Sequence, residues 1–516
     1  MKVGVALATL LLLASAGARA SVPVWPQEQQ LVAPERAAGD VFGISVAIDG
    51  DLGVIAAPQR NVGPHSYAGE VFVLQRSGAS WAVTGSLQEP GTADTSRDFG
   101  RALQLGDGLL AIGAPGRANG RGGVYIYAYV PAMGWVLQAL GISPEALPGG
   151  RLGVAVDCGG GQVLAGETIQ SLPPTDAVTG KVHVFDQAQG WARVQVLTPL
   201  DAEGGDRFGY AVAIDGALAV VGAPGKDGVR GAAYVFERAG GVWSQAAKLV
   251  IADPRVVGDF FGAAVAIEGE RVLVGAFGRD GSAGAAHVFE RSGGKWMQVQ
   301  ALTAEVPTSG EVFGGGVALA GGRALVSGWG YEPLANVGSR GAAYLFARDG
   351  EAFVLVSALR ADDGVPGDFL GMGAALSADA ALLGAPYDDA PAQPTPMLGS
   401  ALGSAYVFAV GQAAGEPCAR DVECADALRC CDAVCVAIAG CEVATTGEPT
   451  STSDASTGPG SSSGSVVMSS EGDGGLPQVE IDPRSDGCGC VAGSPGFGGA
   501  WLGVWALGCC RRRRSR

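Results

Sequence analysis

The chain has 516 residues, of which 47% are hydrophobic and only 16% charged, and its formal net charge is -17 at pH 7. That acidity argues against nucleic acid as a partner, because phosphate binding needs a basic surface. Three histidines leave little material for histidine-based metal or catalytic centres, and Gly 85 without a collagen triplet fits a fold built on many tight turns.

Lys2 precedes the apolar run Val3 to Leu13, and small residues follow up to Ala18-Arg19-Ala20. This charged, apolar and small-residue sequence predicts a signal peptide over 1–20, cut between Ala20 and Ser21. A retained membrane helix is the alternative, which the shortness of the run disfavours. The mature chain is therefore expected in a compartment that permits disulfides.

Residues 24–31 (VWPQEQQL) look like a strand with no neighbour in sequence. Beyond them a Phe-Gly pair recurs: Phe42-Gly43, Phe99-Gly100, Phe208-Gly209, Phe261-Gly262 and Phe313-Gly314, with Leu152-Gly153 and Phe369-Leu370-Gly371 in the remaining places. Successive starts lie roughly 52 to 57 residues apart, a period that signals a repeat array. Each start leads into an apolar strand, a tight turn, a second strand ending in Gly-Ala-Pro or a relative, and a third resembling Gly-Ala-Ala-Tyr-Val-Phe. A Trp…Leu segment then follows at 81–87, 191–197, 243–249 and 296–302, and reads as a fourth, outermost strand with Trp covering the sheet edge.

Four antiparallel strands in each of seven units predict an all-β, seven-bladed β-propeller over 21–410, a radial array that leaves only short edges. The last unit stops at Phe408 without a fourth strand while 24–31 stands unclaimed. Pairing of 24–31 with 404–410 is expected to close the ring. Gly-Ala at 113–114, 222–223 and 384–385 would keep side chains small where sheets converge on the axis, and Pro115, Pro224 and Pro386 would end the strand. His183 and His287 share the third-strand place of Tyr234, which reads as strand filling. Cys158 is expected in a turn, without a mate.

These units resemble the FG-GAP repeats of integrin α-subunit propellers and of many bacterial surface proteins. Integrin-type repeats often carry a calcium loop between the first two strands. Here that connection shrinks to Asp49-Gly50-Asp51, Gly106-Asp107-Gly108, Asp215-Gly216 and Glu268-Gly269-Glu270. Calcium takes six to eight oxygens from a loop able to wrap it, and Asp-Gly is an ordinary hairpin turn; no metal and no cofactor are expected. The long connections (89–98, 199–207, 361–368, 60–68 and 387–402) should share one face, where function usually lies. Asp40, Asp98, Asp259, Glu311 and Asp368 precede the Phe-Gly starts; they either ring that face or make turn hydrogen bonds. No P-loop, Gly-x-Ser-x-Gly elbow or His-Glu-x-x-His is present, so catalysis is not expected.

Past the propeller, Cys418, Cys424, Cys430, Cys431, Cys435 and Cys441 predict a disulfide-rich module over 415–442. Fifteen pairings are open, and a zinc site is the alternative. Residues 443–487 are rich in Ser, Thr and Gly and read as a flexible stalk. In 488–516, Cys488-Gly489-Cys490 precedes an apolar stretch ending at Leu507, then Cys509-Cys510 and an arginine cluster. The apolar run suits a helix but is marginal for a lasting span, and the arginines should stay cytoplasmic. The arrangement resembles the MYXO-CTERM sorting signal, which implies cleavage of the tail and attachment through Cys488 or Cys490. A plain membrane anchor is the alternative.

The reading is an exported, surface-anchored protein handled by export and sorting machinery, with membrane association through its C-terminal segment. Its propeller loops would recognise a surface protein or glycan. An extracellular hydrolase and a purely structural envelope protein are the competing expectations.

Overall fold

The computed structural model describes residues 24–25, 27–91, 98–146, 148–168, 179–251, 258–330, 339–388, 401–410, 428–431 and 434–437. The chain divides into two compact units, 1–443 and 444–516. The whole of the second lies outside the described residues, as do the expected signal peptide and its Ala20–Ser21 cut.

Seven four-stranded antiparallel sheets follow one another along the chain. Their inner strands are Val46–Asp49, Ala102–Gly106, Leu152–Gly159, Ala211–Asp215, Ala264–Glu268, Phe313–Ala320 and Gly373–Leu376. Each inner strand pairs on one side only, with the second strand of its blade. The seven unpaired edges surround a central channel of about 380 Å³, lined by residues 44–48, 101–104, 154–157, 210–214, 263–267, 316–319 and 372–376. This is the seven-bladed β-propeller expected from the repeat.

The hydrophobic core is not one mass but seven slices between consecutive blades. In the second strand of blade 4, Leu218–Ala223, Ala219 and Val221 pack in the seam with blade 3 while Val220 packs in the seam with blade 5. A strand buried on both faces needs no polar alternation, which is why these strands read as continuous apolar runs. Fourth strands such as Ala192–Leu197 and Val242–Leu249 do alternate, and two that lack both the alternation and the full Trp…Leu pattern complete blades 2 and 6: Gly134–Gly141 and Ala352–Leu359.

Gln27–Leu31 lies antiparallel on Ser404–Ala409, with Leu31 opposite Ala405 and Gln30 opposite Tyr406, as the outermost strand of blade 7. The preceding residues differ from expectation. Val24–Trp25 does not continue that pairing but lies in parallel with Ala358 and Leu359 of blade 6. The N-terminal segment thus touches two blades. Gln29 adds a clamp to a third: its side chain donates to Trp81 O (2.6 Å) and accepts from Trp81 N–H (2.8 Å). The same two-way clamp joins Gln195 to Trp243 and Gln300 to Phe353 across other seams.

Cys158 is not in a turn. It belongs to the inner strand of blade 3, buried where Ile48, Ile214 and Ile267 stand in other blades, and burial pushes its thiol pKa up. Leu428–Cys431 and Val434–Ala437 form a separate antiparallel hairpin with Cys430 opposite Cys435. Cys418, Cys424 and Cys441 lie outside the described residues.

Candidate functional site

The Phe-Gly pair occupies the centre of a β-turn that leads into each inner strand. The N–H of the residue after the pair returns to the carbonyl of the residue before it: Ile44 to Val41 (3.3 Å), Arg101 to Asp98 (3.0 Å), Val154 to Arg151 (3.2 Å), Tyr210 to Arg207 (3.1 Å), Ala263 to Phe260 (3.1 Å), Gly315 to Val312 (3.0 Å) and Met372 to Phe369 (3.3 Å). The second central residue has positive φ, for example +97° at Gly43 and +85° at Gly209, as a type II turn demands of glycine. The Phe is fully buried; Phe208 meets Tyr234 and Phe236 edge-on at 5.7 and 6.0 Å.

The Gly-Ala-Pro glycine has a different job from the one expected. It lies in the second strand, one layer out from the channel, and meets the next blade rather than the axis. A Cβ on Gly222 would sit 1.9 Å from Gly262 O, and one on Gly384 would sit 1.7 Å from Gly43 O. The sequence reading missed a third glycine, the one that opens every third strand. Gly69, Gly122, Gly180, Gly231, Gly284, Gly341 and Gly403 all lie against the backbone of the next blade's Phe-Gly turn, with a would-be Cβ 2.0 to 2.2 Å from its carbonyl oxygen. Its signal was present in GEVF, GGVY, GKVH, GAAY, GAAH and GSAY.

One left-handed position recurs in every blade. Val41, Asp98, Arg151, Arg207, Phe260, Val312 and Phe369, each just before the turn's central pair, have φ between 50° and 60°. A left-handed backbone at a non-glycine residue costs about 1 kcal/mol or more, and tends to persist where surrounding structure holds it. Six of the residues that close the turns, Ile44, Arg101, Val154, Tyr210, Ala263 and Met372, line the channel, and the strained residues beside them complete a rim on the loop face from which Val41 and Val312 are withdrawn into the core.

The acids before the turns serve the turns. Asp40 accepts from Ala37 N–H (3.0 Å), Asp206 from Glu203 N–H (2.8 Å), Glu311 from Thr308 N–H (3.1 Å) and Asp368 from Val365 N–H (2.6 Å). Three of them also meet a cation just past the Gly-Ala-Pro place: Arg60 on Asp40 (2.6 Å), Lys226 on Asp206 (3.2 Å) and Arg279 on Asp259 (3.1 Å). Burial raises the Asp206 and Glu311 carboxyls. Asp98 differs: half-buried on the rim, it faces Arg151 at 3.7 Å.

On the opposite face, acids between first and second strands fasten neighbouring blades. Asp107 accepts from Gly160 N–H (2.8 Å), Asp215 from Gly269 N–H (2.6 Å) and Glu268 from Gly322 N–H (3.4 Å). Blade 3 has Gly159-Gly160-Gly161 there, and Asp157, two residues upstream, accepts Ile214 N–H instead (2.7 Å). Burial lifts the Asp157 carboxyl to about 7.

The third-strand slot holds Tyr125, Tyr234, Tyr344 and Tyr406, whose hydroxyls donate to Glu89, Asp201, Glu311 and Asp388. His183 fills it in blade 3 against Glu167 (2.7 Å). Burial raises the Glu167 carboxyl, but His183 and Lys181 together hold it below its ordinary value. His287 in blade 5 is buried with no hydrogen bond on either ring nitrogen. Burial, with the nearby Arg279 charge, lowers its pKa to about 4. The folded state therefore prefers neutral His287, and its contribution is lost as pH falls from about 6.5 towards 4, where only the unfolded chain binds the proton. Phe72 stands in this slot in blade 1. His287→Phe should flatten the stability slope between pH 7 and 5 and raise stability by about 1–2 kcal/mol at pH 5. Urea unfolding at both pH values checks this, and an unchanged slope would refute it.

Rigid blades, a channel and one face of loops define a propeller with its variable side chains gathered at a rim. Residues 25–74, 191–236, 243–289, 296–346 and 353–408 match the family model described as FG-GAP repeat. The chain carries FG-GAP repeats on a seven-bladed β-propeller. Each matched stretch begins in or beside the outer strand of one blade and ends in the third strand of the next, so the repeat unit spans a seam. No curated protein matches the chain. Among the described residues, no cluster of three or more metal-ligating side chains is present and no helix is long and apolar enough to cross a membrane. Cys488 and Cys490 lie outside them.

Proposed function

We propose that this is a non-enzymatic binding protein, exported and tethered to the cell surface, which recognises a surface protein or glycan through the loop face of its propeller. The observation that carries this reading is the contrast within each repeat. Gly, Phe and the turn acids do the same seam and turn work from blade to blade. The rim residue beside them is buried as Val41 and Val312, but is Asp, Arg or Phe and at least partly exposed in the other five blades, on the same left-handed backbone. Constant scaffold with variable presentation is how rigid folds serve recognition. The buried carboxylates beside the turns are occupied by backbone N–H groups and cations, an arrangement that suits structure better than acid–base chemistry. The tether rests on the Cys-Gly-Cys, apolar and arginine pattern of the tail.

The test has two parts. Mass spectrometry of protein released from cells should find a chain starting near Ser21, ending near Cys488–Cys490 and modified on cysteine. Labelled full-length protein should bind whole cells, and rim substitutions should abolish that binding while substitutions at the opposite turns, such as Glu270→Gln, leave it intact. A chain ending at Arg516 would refute the sorting. Cell binding indifferent to the rim would refute the loop-face reading.

A further inference from the structure

The rim is divided by chemistry. Blades 2 to 4 place Asp98, Arg101, Arg151, Arg207 and Tyr210 at this rim, where Arg151 meets Asp98 at 3.7 Å. Arg207 is exposed and makes no ion pair among the described residues. Blades 5 to 7 present aromatic rings instead. Phe277 and Trp329 replace the proline that ends the second strand in blades 1, 2, 4 and 7. Phe277 stacks on the strained Phe260 at 5.0 Å and 5°. Trp329, the strained Phe369 and Tyr387 follow one another as a strip of inclined rings across blades 6 and 7, with centroids 6.1 and 5.5 Å apart and planes at 59° and 71°. All five rings are half-buried rather than sealed in the core. Trp329 folds towards the channel mouth because blade 6 has glycine where other blades place a side chain: a Cβ on Gly315 would begin 2.3 Å from Trp329 Nε1.

We infer that this divided rim binds an acidic glycan, with sugar rings on the Trp329–Phe369–Tyr387 strip and carboxylate or sulfate groups turned to Arg207. The inference rests on the loop-face reading and adds the ligand class. Aromatic faces offer flat apolar contact to the C–H face of a sugar. Trp Nε1 and Tyr hydroxyl groups can hydrogen-bond at its edge. Guanidinium groups match carboxylate and sulfate through paired donors. An aliphatic chain would be served equally well by leucines and needs no such edge donors. The strained positions matter because a left-handed backbone fixes where Phe369 and Arg207 stand, so less order is lost on binding.

The test titrates the full chain with oligouronate hexamers, sulfated heparin hexamers and neutral cellohexaose, following tryptophan fluorescence and heat. At least one acidic hexamer should bind, with affinity falling as salt rises. Trp329→Pro restores the residue of four other blades, and Arg207→Asn keeps a residue that tolerates the left-handed backbone. Each should weaken acidic binding by about tenfold or more. Arg207→Asn should leave any cellohexaose binding unchanged, whereas Trp329→Pro should weaken it. Unchanged melting curves establish that both variants are folded; if Trp329→Pro unfolds, Trp329→Leu replaces it. Acidic hexamers that bind neither variant nor wild type overturn the inference. So does binding indifferent to both substitutions. If cell binding still depends on the rim but is destroyed by treating the cells with protease, the partner is a protein: the loop-face reading survives and the glycan does not.

Discussion

A chain that begins at Val32, lacking residues 21–31, is expected to lose several kcal/mol of stability and its single sharp unfolding transition. The reason is that the deletion removes three fastenings besides the short parallel pairing of Val24–Trp25 to blade 6. Blade 7 loses its fourth strand and the ladder along Ser404–Ala409. The seam between blades 7 and 1 loses Leu31, which packs with Phe42, Ile55, Phe72 and Leu382, a burial whose removal alone is typically worth 2 to 5 kcal/mol. Trp81 loses both hydrogen bonds to Gln29, stranding backbone groups at a cost of about 1–3 kcal/mol. Parts can be separated: Leu31→Ala should cost about 3 kcal/mol and Gln29→Ala about 1–2 kcal/mol. Removing only 21–26 should cost less, because it spares blade 7 and takes away just the short parallel pairing to blade 6. Calorimetry and urea titration read all four. If the 21–31 deletion melts like the full chain, closure does not depend on this strand.

Much of the fold was legible because repetition converts weak local signals into a strong one. A single Phe-Gly is uninformative, but five of them with two Leu-Gly relatives at a near-constant spacing fix the blades, and an unclaimed terminal strand fixes the closure. What could not be read were contacts whose two halves lie in different blades. Gln29 and Trp81 are separated by a whole repeat, and nothing local says that the glutamine amide is a clamp. The Gly-Ala-Pro glycine looked like a residue near an axis, whereas its constraint comes from a neighbour's carbonyl. Asp107 and Asp215 looked like hairpin-turn residues; their side chains reach across to the next turn. The candidate site was legible only as a face. Its division into arginine and aromatic arcs depends on reading one position across all blades and on the left-handed backbone there, which Phe260 and Phe369 do not announce in sequence. Within the tail, the sorting pattern stands on sequence alone.

The glycine seams yield the second large effect. Gly231 has φ +88° and a would-be Cβ 2.0 Å from Phe261 O, whereas Gly241 has φ +84° and nothing within 4 Å. Alanine at either place meets the left-handed penalty of about 1–2 kcal/mol. Only at Gly231 does it also drive a methyl group into the next blade's backbone. That backbone cannot retreat: Phe261 N–H is bonded to Arg230 O at 3.0 Å, and Gly262 N–H to Gly275 O at 3.0 Å, within a turn that anchors the inner strand of blade 5. Gly241→Ala should therefore cost about 1–2 kcal/mol, and Gly231→Ala about 4 kcal/mol or more. The difference between the two isolates the seam contact from backbone strain, since both variants share the latter. Hydrogen exchange should then show faster opening at Phe261 and Gly262 in Gly231→Ala alone. Equal costs at the two glycines would mean that the Phe-Gly turn can shift to admit a side chain. The recurrence of glycine at the start of every third strand would then reflect only its left-handed backbone, and the seam would be held by its hydrophobic slice instead.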